Sequence, residues 1–218
     1  MRLHTGIMAM ALAGGLFAQQ AETEPRTLFG AGTDRANGGW GGPVAALTTI
    51  MDKPAMLTGI KGGWMIDHRF TLGIGGHGLV TNAPNKGYDD WLVANGEMVR
   101  RTSQFRMGYG GLLLEPVIAY RSPVHVTLPI LVGAGGCVYE TFTPHAPGDT
   151  TFGRPWFEQG QAFFVVEPGV ELELSVVRLV RVAFGASYRY TSDIDLPATP
   201  KDILRGANAS VTVKVGRF

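Results

Sequence analysis

The chain has 218 residues, enough for one domain, with 19 Lys and Arg against 18 Asp and Glu and a formal net charge of +1. That balance gives no reason to expect a nucleic-acid partner. A single cysteine, Cys137, excludes an intramolecular disulfide and a cysteine-based zinc cluster, and 31 glycines with little helical patterning after residue 30 point to closely spaced, bent strands.

In chain order, Met1–Ala18 reads as a secretory signal peptide. Arg2 and His4 make a basic start, and Ile7–Ala18 is an apolar stretch too short to span a membrane; cleavage is expected after Ala18. The competing reading is a buried N-terminal helix. Gln19–Asn37 is polar and unpatterned, a flexible segment ahead of a domain over 38–218. No later run of about 18 apolar residues exists, so no transmembrane helix is expected.

Eight strands are predicted near Gly41–Met51, Ala55–Ile66, Arg69–Thr81, Phe105–Arg121, Val124–Tyr139, Gln161–Val176, Leu179–Thr191 and Arg205–Phe218. Gly41, Gly42 and Pro43 weaken the first. Short turns fall at Asp67-His68, Ser122-Pro123 and Val177-Arg178. Long polar loops fall at Asn82–Gln104, Thr141–Gly160 and Ser192–Leu204. In an up-and-down barrel this alternation puts the long loops on one rim and the short turns on the other, as in outer-membrane barrels. Met51–Pro54 is the exception, a short connection on the long-loop rim. Glu115-Pro116 and Gly133-Ala134 recur at one even offset as Glu167-Pro168 and Gly185-Ala186, which suggests a duplicated hairpin rather than a solenoid.

The clearest pattern is the hairpin Gln161–Thr191. Phe164, Val166, Pro168, Val170, Leu172, Leu174 and Val176 alternate with Val165, Glu167, Gly169, Glu171, Glu173 and Ser175. After the turn, Val180, Val182, Phe184, Ala186, Tyr188 and Tyr190 alternate with Arg181, Ala183, Gly185, Ser187, Arg189 and Thr191. Strand side chains alternate sides, so one face is continuously apolar and the other charged or small. Strands of roughly 9–11 residues, apolar outside and polar inside, suit a membrane barrel. With the apolar face on lipid, Glu115, Glu167, Glu171, Glu173, Arg181 and Arg189 point inward, joined by Lys61, Arg69 and Lys214. An eight-stranded barrel is just wide enough to be filled by side chains, and unpaired charge there is costly. Mixed-sign ion pairs across the hairpin are the expected solution, and a charged, conducting lumen is the alternative.

Other candidate chemistry is weaker. Gly73–Gly78 matches GxGxxG but lies inside an alternating strand, not between a strand and a helix, so a dinucleotide site is rejected. His68, His77, His125 and His145 lack metal-ligand spacing. His125 with Thr127 is a conceivable hydroxyl-based pair, but it sits beside a short turn, and no base or orienting set surrounds His145. No catalytic residue, cofactor or metal is assigned. Cys137, flanked by glycines, reads as part of the barrel wall. Trp64, Tyr120, Tyr139, Tyr188, Tyr190 and Phe218 fall near strand ends, as in an aromatic girdle or as ordinary packing. Trp91 and Trp156 fall in long loops, as recognition or packing residues.

Three segments, Gly38–Pro43 (GGWGGP), Gly62–Leu79 (GGWMIDHRFTLGIGGHGL) and Val166–Tyr190 (VEPGVELELSVVRLVRVAFGASYRY), resemble a family of small outer-membrane β-barrel proteins of Gram-negative bacteria, broadly of the OmpA/OmpX type, that carries no established reaction. The resemblance covers about Gly38 to Phe218. It implies an eight-stranded antiparallel transmembrane barrel, export by the general secretory route, insertion by the barrel assembly machinery, and outer-membrane lipid as partner. A terminal phenylalanine fits that machinery, but Phe218 shares parity with Gly216, Lys214 and Thr212 while Val211, Val213 and Val215 take the other face; a bulge at Gly216 would restore the phase. A structural or interaction role through the long loops is expected. The alternatives are a narrow passive pore and a soluble periplasmic lipocalin-like barrel that binds an apolar ligand.

Overall fold

A computed structural model describes residues 37–118, 124–142 and 156–218. The expected signal peptide and nearly all of the flexible segment, the turn Ser122-Pro123, Tyr120 and His145 lie outside the described residues. The strands are β1 (Gly38–Ile50), β2 (Lys53–Ile66), β3 (Phe70–Leu79), β4 (Gln104–Ile118), β5 (Val124–Thr127), β6 (Ile130–Thr141), β7 (Trp156–Val177), β8 (Val180–Thr191) and β9 (Gly206–Arg217). All pairings are antiparallel, and β9 pairs with β1, so the sheet closes on itself.

β5 and β6 are two halves of one strand. Both pair with β4 on one side and β7 on the other, and the register is the same before and after the break. The interruption falls at Leu128-Pro129, where proline has no N–H to give the ladder. Leu128 N still donates to Pro116 O (3.0 Å) and Gly169 N to Pro129 O (2.8 Å). The described residues therefore form an eight-stranded up-and-down barrel with no free edge, which satisfies backbone groups internally.

The doubtful first strand is fully formed and pairs with β2 along its length. Only its pairing with β9 is interrupted, at Gly42-Pro43. Gly42 is needed at this seam, because a Cβ there would lie 1.7 Å from Val213 O. Met51-Asp52 joins β1 to β2 in two residues and Asp67–Arg69 joins β2 to β3 in three; Met51, Asp52, Asp67 and His68 all have φ between 51° and 57°, a left-handed pair in each tight hairpin. The β7–β8 turn is Arg178-Leu179, one residue later than expected.

Two long connections differ from simple polar loops. Residues 80–103 contain a helix, α1 (Lys86–Ala94), capped by Asn85, whose side chain accepts from Tyr88 N. β7 starts at Trp156, five residues before the expected start, so Trp156 is a strand residue and not a loop residue. The extension pairs with β6 after a one-residue shift between Cys137 and Tyr139, where Gln159 takes φ 53°.

Alternation along the strands sorts side chains as the pleat requires. Phe164, Val166, Val170, Leu172, Leu174, Val176 and Phe184 are exposed on the outside, with Ile60, Ile74, Leu112, Val132, Val211 and Val215 continuing the belt around the ring. Val165, Glu167, Glu171, Glu173 and Arg189 are buried inside.

Gly42→Ala should slow or prevent closure at the β1–β9 seam and lower stability by about 1–3 kcal/mol, as overpacking does. Gly78→Ala should be tolerated, because a Cβ there meets nothing within 4 Å. Urea titration of the gel shift between folded and heat-denatured barrel compares the two.

Candidate functional site: the barrel interior

The short-turn half of the interior is an ion cluster. Lys214, from β9, is fully buried and places its Nζ 2.7 Å from Glu115 Oε1 on β4 and 3.1 Å from Glu171 Oε2 on β7, and it also pairs with Glu173. Lys61 on β2 holds the other oxygen of Glu171 at 2.9 Å. Arg181 on β8 holds Glu173 at 3.2 Å, and its guanidinium lies 4.0 Å from the centre of the Phe218 ring. Three carboxylates thus face three cations. The carboxylates come within 4.8 Å of one another, close enough to share a metal ion, but the ammonium of Lys214 contacts all three.

Glycines make this cluster fit. A Cβ on Gly185 would lie 2.9 Å from Glu171 Cγ, and one on Gly75 would lie 3.3 Å from Lys61 Cγ. Gly75 belongs to the GxGxxG match, which here is part of β3.

Above the ions is a hydrogen-bonded layer. Glu167 accepts from Tyr109 Oη (2.6 Å), Ser187 Oγ (2.6 Å) and Asn208 Nδ2 (2.8 Å). Arg189 is fully buried but pairs with no glutamate among the described residues, contrary to the expectation of ion pairs across the hairpin. Its Nε donates to Leu204 O (2.5 Å), Nη1 to Asn208 Oδ1 (3.3 Å) and Nη2 to Thr48 Oγ1 (3.5 Å). The physical reason is its height. Arg189 sits near the long-loop rim, where the returning loop brings a buried carbonyl that also needs a donor. Arg69 is not inside either; it lies in the β2–β3 turn, exposed, 3.7 Å from Asp67.

Between the two layers a cavity of about 20 Å³ is bordered by Lys61, His77, Glu167, Glu171, Ser187 and Ser210. That volume holds about one water. His77 stacks on Tyr109 with ring centres 5.2 Å apart. His125 and Thr127 both point inward, in register with Glu173 and Glu171. Cys137 is buried and its Sγ contacts Gln161 O at 3.5 Å.

The two ends are closed by apolar side chains. At the short-turn end, Trp40, Met65 and Leu113 pack with Phe218. The β1–β9 register is unbroken through Val215, Gly216 and Arg217, so Gly216 does not restore the phase and Phe218 faces inward. At the long-loop end, Tyr88 of α1 stacks on Tyr139 at 3.8 Å, and Leu92, Phe105, Ile194, Leu196 and Leu204 join them. Asn85 Nδ2 donates to Tyr139 Oη (2.6 Å), which also bonds Thr199 (2.5 Å), tying two long connections to one wall residue. Trp91 packs against this cluster rather than standing free in a loop. The helix had readable signals: an Asn cap, acidic Asp89 in the first turn, Tyr88 and Leu92 one turn apart, and an Asn-Gly stop.

No protein-family model and no curated protein matches this sequence. Among solved structures, the chain is similar to Neisserial surface protein A, NspA, with a TM-score of 0.54 and 14% identity over 84% of this chain and 98% of that one. A major outer membrane protein of Thermus thermophilus aligns at 0.47 and 10% identity, over 82% and 98%. Ail of Yersinia pestis, crystallised with the heparin analogue sucrose octasulfate, aligns at 0.46 and 11% identity, over 83% and 97%. The fold is that of the small outer-membrane β-barrels.

Lys214→Met, which keeps the length and removes the charge, leaves three carboxylates facing two cations. It should cost about 3–5 kcal/mol, as breaking a buried ion cluster does. Adding Glu115→Gln should recover part of that loss. Urea unfolding of both variants measures the coupling; strictly additive losses would mean that Lys214 and Glu115 do not act together.

Proposed function

We propose that the chain is an integral outer-membrane barrel with a sealed interior, whose role is structural or interactive through its long-loop end. The observation that carries this reading is the exposed belt of bulky apolar side chains around a polar, charge-balanced interior. That is the inverse of a soluble protein, and a lipid-facing barrel is what stabilises it. The same inversion counts against the lipocalin-like alternative, which needs its apolar face inside. Tyr188 and Tyr190, exposed on β8 with ring centres 4.5 Å apart, and exposed Trp64 on β2 suit the membrane interfaces.

In this reading Met1–Ala18 directs export and is removed, residues 19–37 link it to the barrel, and the assembly machinery inserts the domain. The long connections then face outward from the cell. The interior cluster of Glu115, Glu167, Glu171, Glu173, Arg181 and Arg189, together with Lys61 and Lys214, serves as packing. With a cavity of about 20 Å³ between its layers and apolar plugs at both ends, it favours a closed lumen over the passive pore.

Two measurements test this. Val170 is exposed on the outward face and pairs with Ala186, midway along β8. Val170→Arg should cost up to about 2–4 kcal/mol in lipid vesicles, whereas Ser187→Thr on the inner face should cost far less. Normal folding of Val170→Arg in lipid would reverse the face assignment. In planar bilayers the protein should show no steady conductance. A stable ohmic channel altered by Glu171→Gln would replace the sealed barrel with the pore.

A further inference from the structure

One part of the lipid-facing wall is built of small residues; at Gly110 a Cβ would meet Gly75 O at 2.8 Å, but at Gly78, Gly108 and Gly136 the described residues leave room for one. Pairing aligns Gly78, Gly108, Gly136 and Ala162 across β3, β4, β6 and β7, all on the outward face. The next row towards the short turns is Gly76, Gly110, Ala134 and Phe164. Glycine also faces outward at Gly39, Gly41 and Gly62 on β1 and β2, but there Trp64 and Ile60 stand beside it; most of the remaining belt is bulky. A Cβ on Gly78 would meet nothing within 4 Å, and those on Gly136 and Gly108 would come no nearer than carbonyl oxygens at 3.9 and 3.4 Å. None of the three has a positive φ. Glycine weakens a strand, so its use where a side chain fits asks for an occupant outside the chain. On the β6–β7 side of this wall is a shallow, open recess lined by Gly136, Val138, Gly160 and Ala162.

Immediately above this wall is a basic groove. Arg106 lies one pleat above Gly108 on β4 and pairs with Glu140 on β6, Nε to Oε2, at 2.7 Å. This bond uses one of the five N–H donors of the guanidinium. Arg101 lies over the Phe142 ring at 4.7 Å. With Asn82, Thr102 and Gln104 these residues line a groove of about 500 Å³. A tilted strand climbs roughly 2.5 Å per residue, so Arg106 stands about 30 Å above Ile118 at the other end of β4, at the outer edge of a belt about 25 Å tall. A cationic groove at headgroup height above a smooth wall matches an amphiphile with an anionic head and closely packed chains.

We infer that this face of β3–β4–β6–β7 is a binding site for a phosphorylated glycolipid of the outer leaflet, its phosphate in the groove at Arg101 and Arg106 and its acyl chains against the small-residue wall. Arginine forks suit phosphate oxygens, and Glu140 orients Arg106 while limiting its net attraction. The inference rests on the outer-membrane reading of the preceding subsection.

The test uses the full barrel refolded into phosphatidylcholine vesicles, alone or with a bis-phosphorylated or a dephosphorylated glycolipid, and reads the midpoint of thermal unfolding. A ligand that binds only the folded state raises that midpoint. The bis-phosphorylated lipid should raise it most. Arg101→Gln with Arg106→Gln should remove the part of the rise that depends on phosphate, and Glu140→Gln should enlarge it even though an ion pair is lost. Gly78→Leu with Gly136→Leu should leave the midpoint in plain phosphatidylcholine unchanged and remove the part that dephosphorylated glycolipid supplies. Lys201→Gln, in the exposed β8–β9 connection, should change neither. Equal midpoints with both glycolipids, or rises indifferent to the arginine and glycine variants, would overturn the site. So would a full rise with inorganic phosphate alone, which would point to a free anion. Cross-linking between barrels in plain vesicles that Gly136→Leu abolishes would also overturn it, by making the occupant a second copy. If the barrel fails to float with vesicles, the membrane reading itself falls; if it floats but shows no glycolipid preference, only this site falls.

Discussion

The structure depends on placing three carboxylates around the ammonium of Lys214. An eight-stranded barrel has an interior only wide enough for side chains, so residues on strands far apart around the ring meet across it. Lys214 on β9 reaches Glu115 on β4 and the pair Glu171 and Glu173 on β7. Each of these carboxylates alone would be expensive to bury, and together they would repel. Gathering them on one cation, with Lys61 and Arg181 at the flanks, makes the core neutral. It also ties distant parts of the ring together, so register errors in one hairpin are felt by the others. The absence of a Cβ at Gly75 and Gly185 leaves room for Lys61 and Glu171 of this cluster together with their neighbours Leu131 and Ser210.

Much of the wall was legible in the sequence because strand side chains have a period of two. Parity alone placed Val165, Glu167, Glu171 and Glu173 inside and Phe164, Val170 and Leu172 outside, and it placed Phe218 on the inner face. Parity says which face a residue takes, not which partner it meets. Arg189 was assigned a glutamate from the neighbouring strand, yet it satisfies Leu204 O and Asn208, because a guanidinium reaches several acceptors and the returning loop supplies one that no strand pattern reveals. The hub role of Lys214 was hidden for a related reason: its contact with Glu115 exists only once the ring has closed.

The long connections were read from polarity, and polarity was a poor guide. Residues 80–103 and 192–205 are rich in charged and turn residues, but Tyr88, Leu92, Ile194, Leu196 and Leu204 turn inward over the barrel mouth, while Val93 and Met98 stay exposed. A barrel with apolar and aromatic side chains at its long-loop end needs such a cover, since Phe105, Met107 and Tyr139 would otherwise face water. The loop segments therefore have two faces, one sealing the barrel and one left for the exterior.

The two sides of the wall place opposite demands on glycine. Inside, at Gly42, Gly75 and Gly185, a missing side chain is explained by what the protein itself puts there: a neighbouring strand, Lys61 or Glu171. Outside, at Gly78, Gly108 and Gly136, no described residue fills the space, and β4 carries Arg106 one pleat above, where β8 carries Tyr188 and Tyr190. Lipid would pack against any apolar side chain on a uniform belt, so a patch without side chains below a cationic rim distinguishes one sector of the barrel from the rest. In the reading proposed above, the recognition chemistry of this barrel lies on its outer surface and long-loop rim, and the ion cluster at Lys214 holds that surface in shape.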